Sequence, residues 1–131
     1  MIIGGLIVTH GELGEILVKE ASRIAGESEK FTSLRTTEFS ADEISEKVRA
    51  IITDEPWIVF TDCPGTAPTL RSQIALSAGQ AVITGVNLAM IISFLLHREI
   101  NSVEEMAERM IRDGKRSMEI LWQGKLHPRK D

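Results

Sequence analysis

The chain has 131 residues, 43% hydrophobic and 26% charged, which suits one soluble globular domain with a single sizeable core. A formal charge of −4 argues against a nucleic-acid binder, which carries a basic excess or patch. The single cysteine, Cys63, excludes an internal disulfide and fits a reducing cytoplasm.

Met1–Gly11, read MIIGGLIVTHG, lacks the basic n-region and cleavage site of a secretory leader. Ile2, Ile3, Leu6, Ile7 and Val8 suit a strand buried on both faces of a parallel sheet. Gly4 and Gly5 within it permit close approach of a neighbouring element. Leu13, Ile16, Leu17, Ala21, Ile24 and Ala25 recur at helical spacing up to Gly26. A weakly marked strand over Lys30–Arg35 precedes a capping box, Ser40 with Glu43, which opens a helix placing Ile44, Val48, Ile51 and Ile52 on one face. Pro56 ends helical structure, and Trp57–Thr61 is a second buried strand finishing at Asp62.

The loop from Asp62 to Pro68 is dense in turn formers, and Pro68 suits the first turn of a helix running to about Ala78, with Gly79 beyond it. Gln80–Thr84 is a further strand, followed by Gly85, Val86 and Asn87 and an apolar helix over Leu88–Leu96. The whole apolar stretch Ala81–Leu96 is polar at Thr84, Asn87 and Ser93, and falls short of the ~20 residues a membrane span needs. Ser102 with Glu105 forms a second capping box for a helix lined by Val103, Met106, Ala107, Met110 and Ile111, with Gly114 a candidate end. Periodicity leaves Ser117–Trp122 open between helix and strand. Residues 1–123 form the expected domain and 124–131 a frayed tail, within a basic cluster of Lys115, Arg116, Lys125, Arg129 and Lys130 that reads as solvated.

Strands alternating with helices imply βαβ units and a mostly parallel α/β sheet. Three strand ends then carry polar groups: Thr9–His10–Gly11, Asp62 with its loop, and Thr84–Asn87. In a 2-1-3-4 strand order, His10 and Asp62 meet at the switch point, where such sheets bind ligands. A carboxylate bonded to Nδ1–H fixes the tautomer and leaves Nε2 as nucleophile or base. Helix starts after Gly11 and at Pro68 aim amides at the same place, which favours an anion, although Glu12 adds opposing charge. A His–Asp pair is also a common satisfied polar contact, and spacing alone does not separate the two. Cys63 has no base beside it in sequence, His97 and His127 lack metal-ligand spacing, and Arg71 reads as a surface ion pair.

The three motifs V-T-H-G (Val8–Gly11), D-x-x-G-x-x-P (Asp62–Pro68) and I-T-G-V-N-L-A-M (Ile83–Met90) together resemble the IIA component of the mannose-family phosphoenolpyruvate-dependent sugar phosphotransferase system. The resemblance spans about Met1–Leu121. It implies a cytoplasmic phosphotransferase component without metal or cofactor. His10 would accept a phosphoryl group on Nε2 from the phosphocarrier HPr and pass it to a IIB component, with Asp62 bonding the other ring nitrogen. Thr9, Gly11, Gly65, Thr66 and Ala67 would border the phosphoryl group. The implied fold is a doubly wound, mostly parallel five-stranded sheet with helices on both faces. Its last strand, antiparallel and exchanged in a homodimer, would be Ser117–Trp122. The family's loop serine is replaced by Ala67 and its asparagine by Leu70, so Thr66 or Thr69 would have to supply a hydroxyl.

An alternative of a different class is a regulatory binding module, in which a partner reads the phosphorylation state of His10. A receiver-like domain phosphorylated on Asp62 would need an acidic pair after the first strand, where this chain has His10 and Glu12. A histidine phosphatase would need arginine where Thr9 stands.

Overall fold

The computed structural model describes residues 2–99 and 102–124. Strands and helices alternate: β1 (Gly4–Thr9), α1 (Leu13–Ala25), β2 (Phe31–Arg35), α2 (Ala41–Ile52), β3 (Trp57–Thr61), α3 (Ala67–Ala75), β4 (Ala81–Thr84), α4 (Leu88–His97) and α5 (Val103–Arg116). The strands are parallel in the order β2-β1-β3-β4, so β1 and β3 lie at the centre and β2 and β4 at the edges.

Because successive strand residues face opposite sides, the two central strands feed two cores. Ile7, Ile58, Phe60 and Ile83 pack under α1, α4 and α5, around Ala21, Ile91, Phe94, Met106 and Met110. On the other face Leu6, Val8, Trp57 and Val59 pack under α2 and α3, against Ile44, Val48, Ile52 and Ala75. The paired glycines of β1 answer to this packing. A Cβ on Gly4 would enter the Trp57 ring, and one on Gly5 would lie 2.6 Å from Phe94, so each accommodates an aromatic ring on its own face.

The Ser40–Glu43 capping box forms in full: Ser40 Oγ accepts the Glu43 amide at 3.3 Å, and the Ser40 amide donates to Glu43 Oε1 at 3.0 Å. Ser102 Oγ accepts the Glu105 amide at 3.2 Å and caps α5.

Three sequence expectations need correction. Helix α3 stops at Ala75 rather than near Ala78. Leu76 turns to extended backbone and packs against the second core, while the Gln80 side chain ties the following turn to the end of α2 through the Thr53 and Glu55 carbonyls. Helix α5 runs through Gly114 to Arg116, because this glycine serves packing: a Cβ there would lie 2.7 Å from Met90 Cε. Finally, the sheet has four strands, all parallel, not five. Ser117–Trp122 pairs with no strand among the described residues, and Met118, Ile120, Leu121 and Trp122 stand exposed. The expected tail beyond Gly124 lies outside the described residues.

The amino end of the sheet is closed by Arg98, which follows α4 and is fully buried. Its guanidinium donates to the carbonyls of Ile3 (3.4 Å), Lys30 (3.3 Å) and Glu29, and to the Glu27 carboxylate (3.3 Å). The carboxyl end is left open.

Candidate active site

Parallel strands bring the ends of β1 and β3 side by side, with Val8 opposite Thr61, so the residues just beyond them are neighbours. His10 Nδ1 lies 2.9 Å from Asp62 Oδ2, and the His10 amide donates to the same oxygen at 3.1 Å. The Cys63 amide donates to Asp62 Oδ1 at 2.9 Å. Burial alone would raise the Asp62 pKa, but the hydrogen bonds from the His10 amide and ring and from the Cys63 amide outweigh it. The carboxyl is held below its ordinary range. An ionised carboxylate only accepts, so Nδ1 carries the proton, which in the neutral ring leaves the lone pair on Nε2. The imidazole is 61% exposed and the carboxylate 13%, so a rigid partner holds a ring that faces outward.

The start of α1 is built around Gly11, whose φ of 55° lets the chain turn from strand into helix. The Gly11 amide donates to Thr37 Oγ1 at 3.2 Å. Thr9, expected at the phosphoryl group, is instead fully buried. Its hydroxyl accepts the Gly14 amide at 2.8 Å and so substitutes for the missing side-chain cap of α1. Glu12 is 3.5 Å from Arg35, which also binds Glu15 at 2.8 and 3.1 Å. The charge that opposes an anion here therefore has a cation beside it.

Across the site, Thr66 and Thr69 both donate to the Cys63 carbonyl, at 2.8 and 2.6 Å, and Thr69 also meets Thr61 Oγ1 at 2.7 Å. These hydroxyls brace the loop. Gly65 turns it with φ 77°, and Ala67 is the first residue of α3. The turn after β4 lies beside Asp62, since the Gly85 amide donates to the Asp62 carbonyl at 3.2 Å. Asn87 is engaged elsewhere: its side chain accepts the Met90 amide at 3.0 Å and caps α4.

Of the remaining polar residues, Arg71 faces Asp42 at 3.6 Å, on the outer face of α2 and α3. His97 joins α4 to α5, with Nδ1 2.9 Å from the Ser93 carbonyl and Nε2 3.0 Å from Arg109. His127 lies outside the described residues. Among the described residues no group of three or more His, Cys, Asp or Glu is placed to hold a metal ion. A groove of about 210 Å³ runs along α3 and the β4 edge, lined by Thr69, Gln73, Leu76, Val82 and Thr84.

Arg35 and Thr37 were missed in the sequence. The signal was their position at the end of a weakly marked strand, Arg35 its last residue and Thr37 just beyond, which puts them at the same sheet end as His10.

The arrangement presents a histidine with one nitrogen anchored and its ring exposed, beside two helix starts. Residues 4–111 match the family model described as the PTS system fructose IIA component, where PTS is the phosphotransferase system. The chain belongs to that family. As a IIA component it has a role in sugar phosphotransfer. No curated protein matches it. Among solved structures it is similar to the mannose/sorbose specific IIA subunit of the phosphotransferase system from Enterococcus faecalis, at 22% identity and a TM-score of 0.86, covering 97% of this chain and 100% of that one. It is also similar to the phosphotransferase system component EIIA from Streptococcus agalactiae, at 21% identity and a TM-score of 0.83, covering 91% and 97%. A sigma-54 interaction domain protein from Enterococcus faecalis is 13% identical with a TM-score of 0.71, covering 87% and 91%. At these identities the likeness is one of fold. No helix among the described residues of this IIA component is long and apolar enough to cross a membrane.

Proposed function

We propose that this IIA component is a cytoplasmic phosphocarrier that takes a phosphoryl group from HPr onto His10 Nε2 and passes it to a IIB component for sugar uptake. The observation that supports this most is the 2.9 Å contact of His10 Nδ1 with an Asp62 carboxylate held ionised. In the step, the Nε2 lone pair attacks phosphorus, the N–P bond to the donor imidazole breaks, and that electron pair returns to the donor nitrogen. The His10 ring gains positive charge, which Asp62 stabilises while Nδ1 keeps its proton. Exposure of the ring favours a donor and an acceptor that are themselves proteins.

A homodimer belongs with this reading. We also propose that Ser117–Trp122, whose Met118, Ile120, Leu121 and Trp122 stand exposed, is exchanged as a strand between two copies.

The test is to incubate the protein with phosphoenolpyruvate, Enzyme I and HPr and map the acid-labile label by mass spectrometry. Label on His10, absent in His10→Ala and discharged by a IIB component, is the expected result. An unlabelled protein beside charged HPr would reject it. A regulatory module is the second reading, favoured by the loop hydroxyls of Thr66 and Thr69 being engaged with the Cys63 carbonyl. It would give label on His10 that no IIB component removes.

A further inference from the structure

A phosphoryl group on His10 would bring two negative charges to a place where several nearby donors are already engaged. The His10 and Cys63 amides bond Asp62, and the Gly11 amide bonds Thr37. Thr66 and Thr69 donate to the Cys63 carbonyl, and buried Thr36 donates to the Thr9 carbonyl at 3.2 Å. Thr37 differs from these. Its side chain is exposed, its oxygen accepts the Gly11 amide at 3.2 Å, and no acceptor among the described residues takes its hydroxyl proton. A hydroxyl can accept and donate at once, and accepting the Gly11 amide fixes the oxygen while leaving the proton available.

Position supports the same residue. In the order β2-β1-β3, the loop after β2 and the loop after β3 flank the end of β1 from opposite sides. Asp62 holds His10 from the β3 side, and Thr37 holds Gly11 from the β2 side. The two imidazole nitrogens point in nearly opposite directions, so a ring whose Nδ1 faces β3 turns Nε2 away from it. We propose that Thr37 donates its hydroxyl proton to the phosphoryl group on His10 Nε2, giving the phosphorylated state a charge-assisted hydrogen bond. This rests on the phosphocarrier reading and names a residue that the Asp62–Pro68 loop does not supply.

The test uses full-length protein, Thr37→Val and Thr37→Ser, each phosphorylated on His10 either by charged HPr or chemically by phosphoramidate. In the chemical route Nε2 attacks phosphorus, the P–N bond of phosphoramidate breaks, and ammonia leaves. Two quantities are read: the pH at which the phosphoryl dianion takes up a proton to become the monoanion, by phosphorus NMR, and the rate of phosphorylation. Thr37→Val is expected to titrate at a higher pH and to phosphorylate roughly tenfold more slowly, with Thr37→Ser close to the natural protein. The imidazole tautomer of unphosphorylated Thr37→Val should be unchanged.

Equal titration and rate in Thr37→Val would overturn the proposal. So would a Thr37→Ser protein as impaired as Thr37→Val, or a Thr37→Val tautomer change, which would route the effect through Gly11 instead. If phosphoramidate loads His10 but charged HPr does not, the phosphocarrier reading loses its donor while the titration still decides the role of Thr37. If neither reagent loads His10, both proposals fail.

Discussion

The two ends of the sheet handle charge in opposite ways. At the amino end Arg98 is fully buried, and its guanidinium bonds carbonyls from the start of β1 and the approach to β2, together with Glu27. A buried cation tolerates such a place only when surrounding acceptors replace its water, so its bonding capacity goes into holding the chain together. At the carboxyl end the same strands present an imidazole that is 61% exposed, with one nitrogen bonded and the other directed outward. Charge is partnered at both ends, but only the carboxyl end leaves a reactive atom free. Substitutions at the amino end should therefore change stability without changing chemistry, and substitutions at the carboxyl end the reverse.

The largest expected effect is at His10. His10→Ala should abolish phosphoryl acceptance, while its unfolding midpoint in urea stays within about 0.5 kcal/mol of the natural protein, because the ring is exposed. Arg98→Met should show the opposite pattern. Leaving the Ile3, Glu29 and Lys30 carbonyls short of a donor should cost about 3 kcal/mol in denaturant titration, with the rate of phosphorylation per folded molecule unchanged. A fall in that rate would break the comparison.

Asp62→Asn sits between the two. An amide in place of the carboxylate no longer enforces Nδ1–H, and phosphorylation should slow on the order of 10²-fold in a protein that still folds. The same variant tests a pH effect. The lowered Asp62 pKa means that its contribution to stability is present above the ordinary carboxylate pKa of about 3.9 and is lost as pH falls through the folded-state value. Urea midpoints taken from pH 6 to pH 2 should therefore fall less steeply in Asp62→Asn than in the natural protein. Gly5→Ala would press a Cβ against Phe94 and should cost about 2 kcal/mol by thermal unfolding, leaving phosphorylation intact. Smallest of all, Ser40→Ala removes one capping bond and should cost about 1 kcal/mol.

Much of this was legible in the sequence, for local reasons. The Ser40–Glu43 box, the apolar strand runs and the turn residues act within a few positions, and the structure keeps them. The βαβ pattern gave a parallel sheet, and the strand order supposed for it, 2-1-3-4, is the one observed and brings His10 to Asp62 across 52 residues. What was misread depended on distant partners. Gly114 looks like a helix end in sequence, but Met90 is the reason for it. Gly79 looks like the residue after a helix, yet the turn that contains it is set by Gln80 reaching the end of α2. Thr9 looked like a site residue and faces the α1 amides instead, whereas Thr37 gave no signal of its own because β2 has little apolar pattern. The segment after α5 carries apolar side chains that no surface among the described residues covers, so its sequence left it open between helix and strand.

The most direct measurement is nitrogen NMR of protein carrying ¹⁵N-labelled histidine, before and after phosphorylation. A phosphocarrier of this design gives His10 as the Nδ1–H tautomer when unmodified, loses that preference in Asp62→Asn, and shows phosphorus coupling to Nε2 once charged. An Nε2–H tautomer in the unmodified protein, or phosphorus on Nδ1, would contradict it.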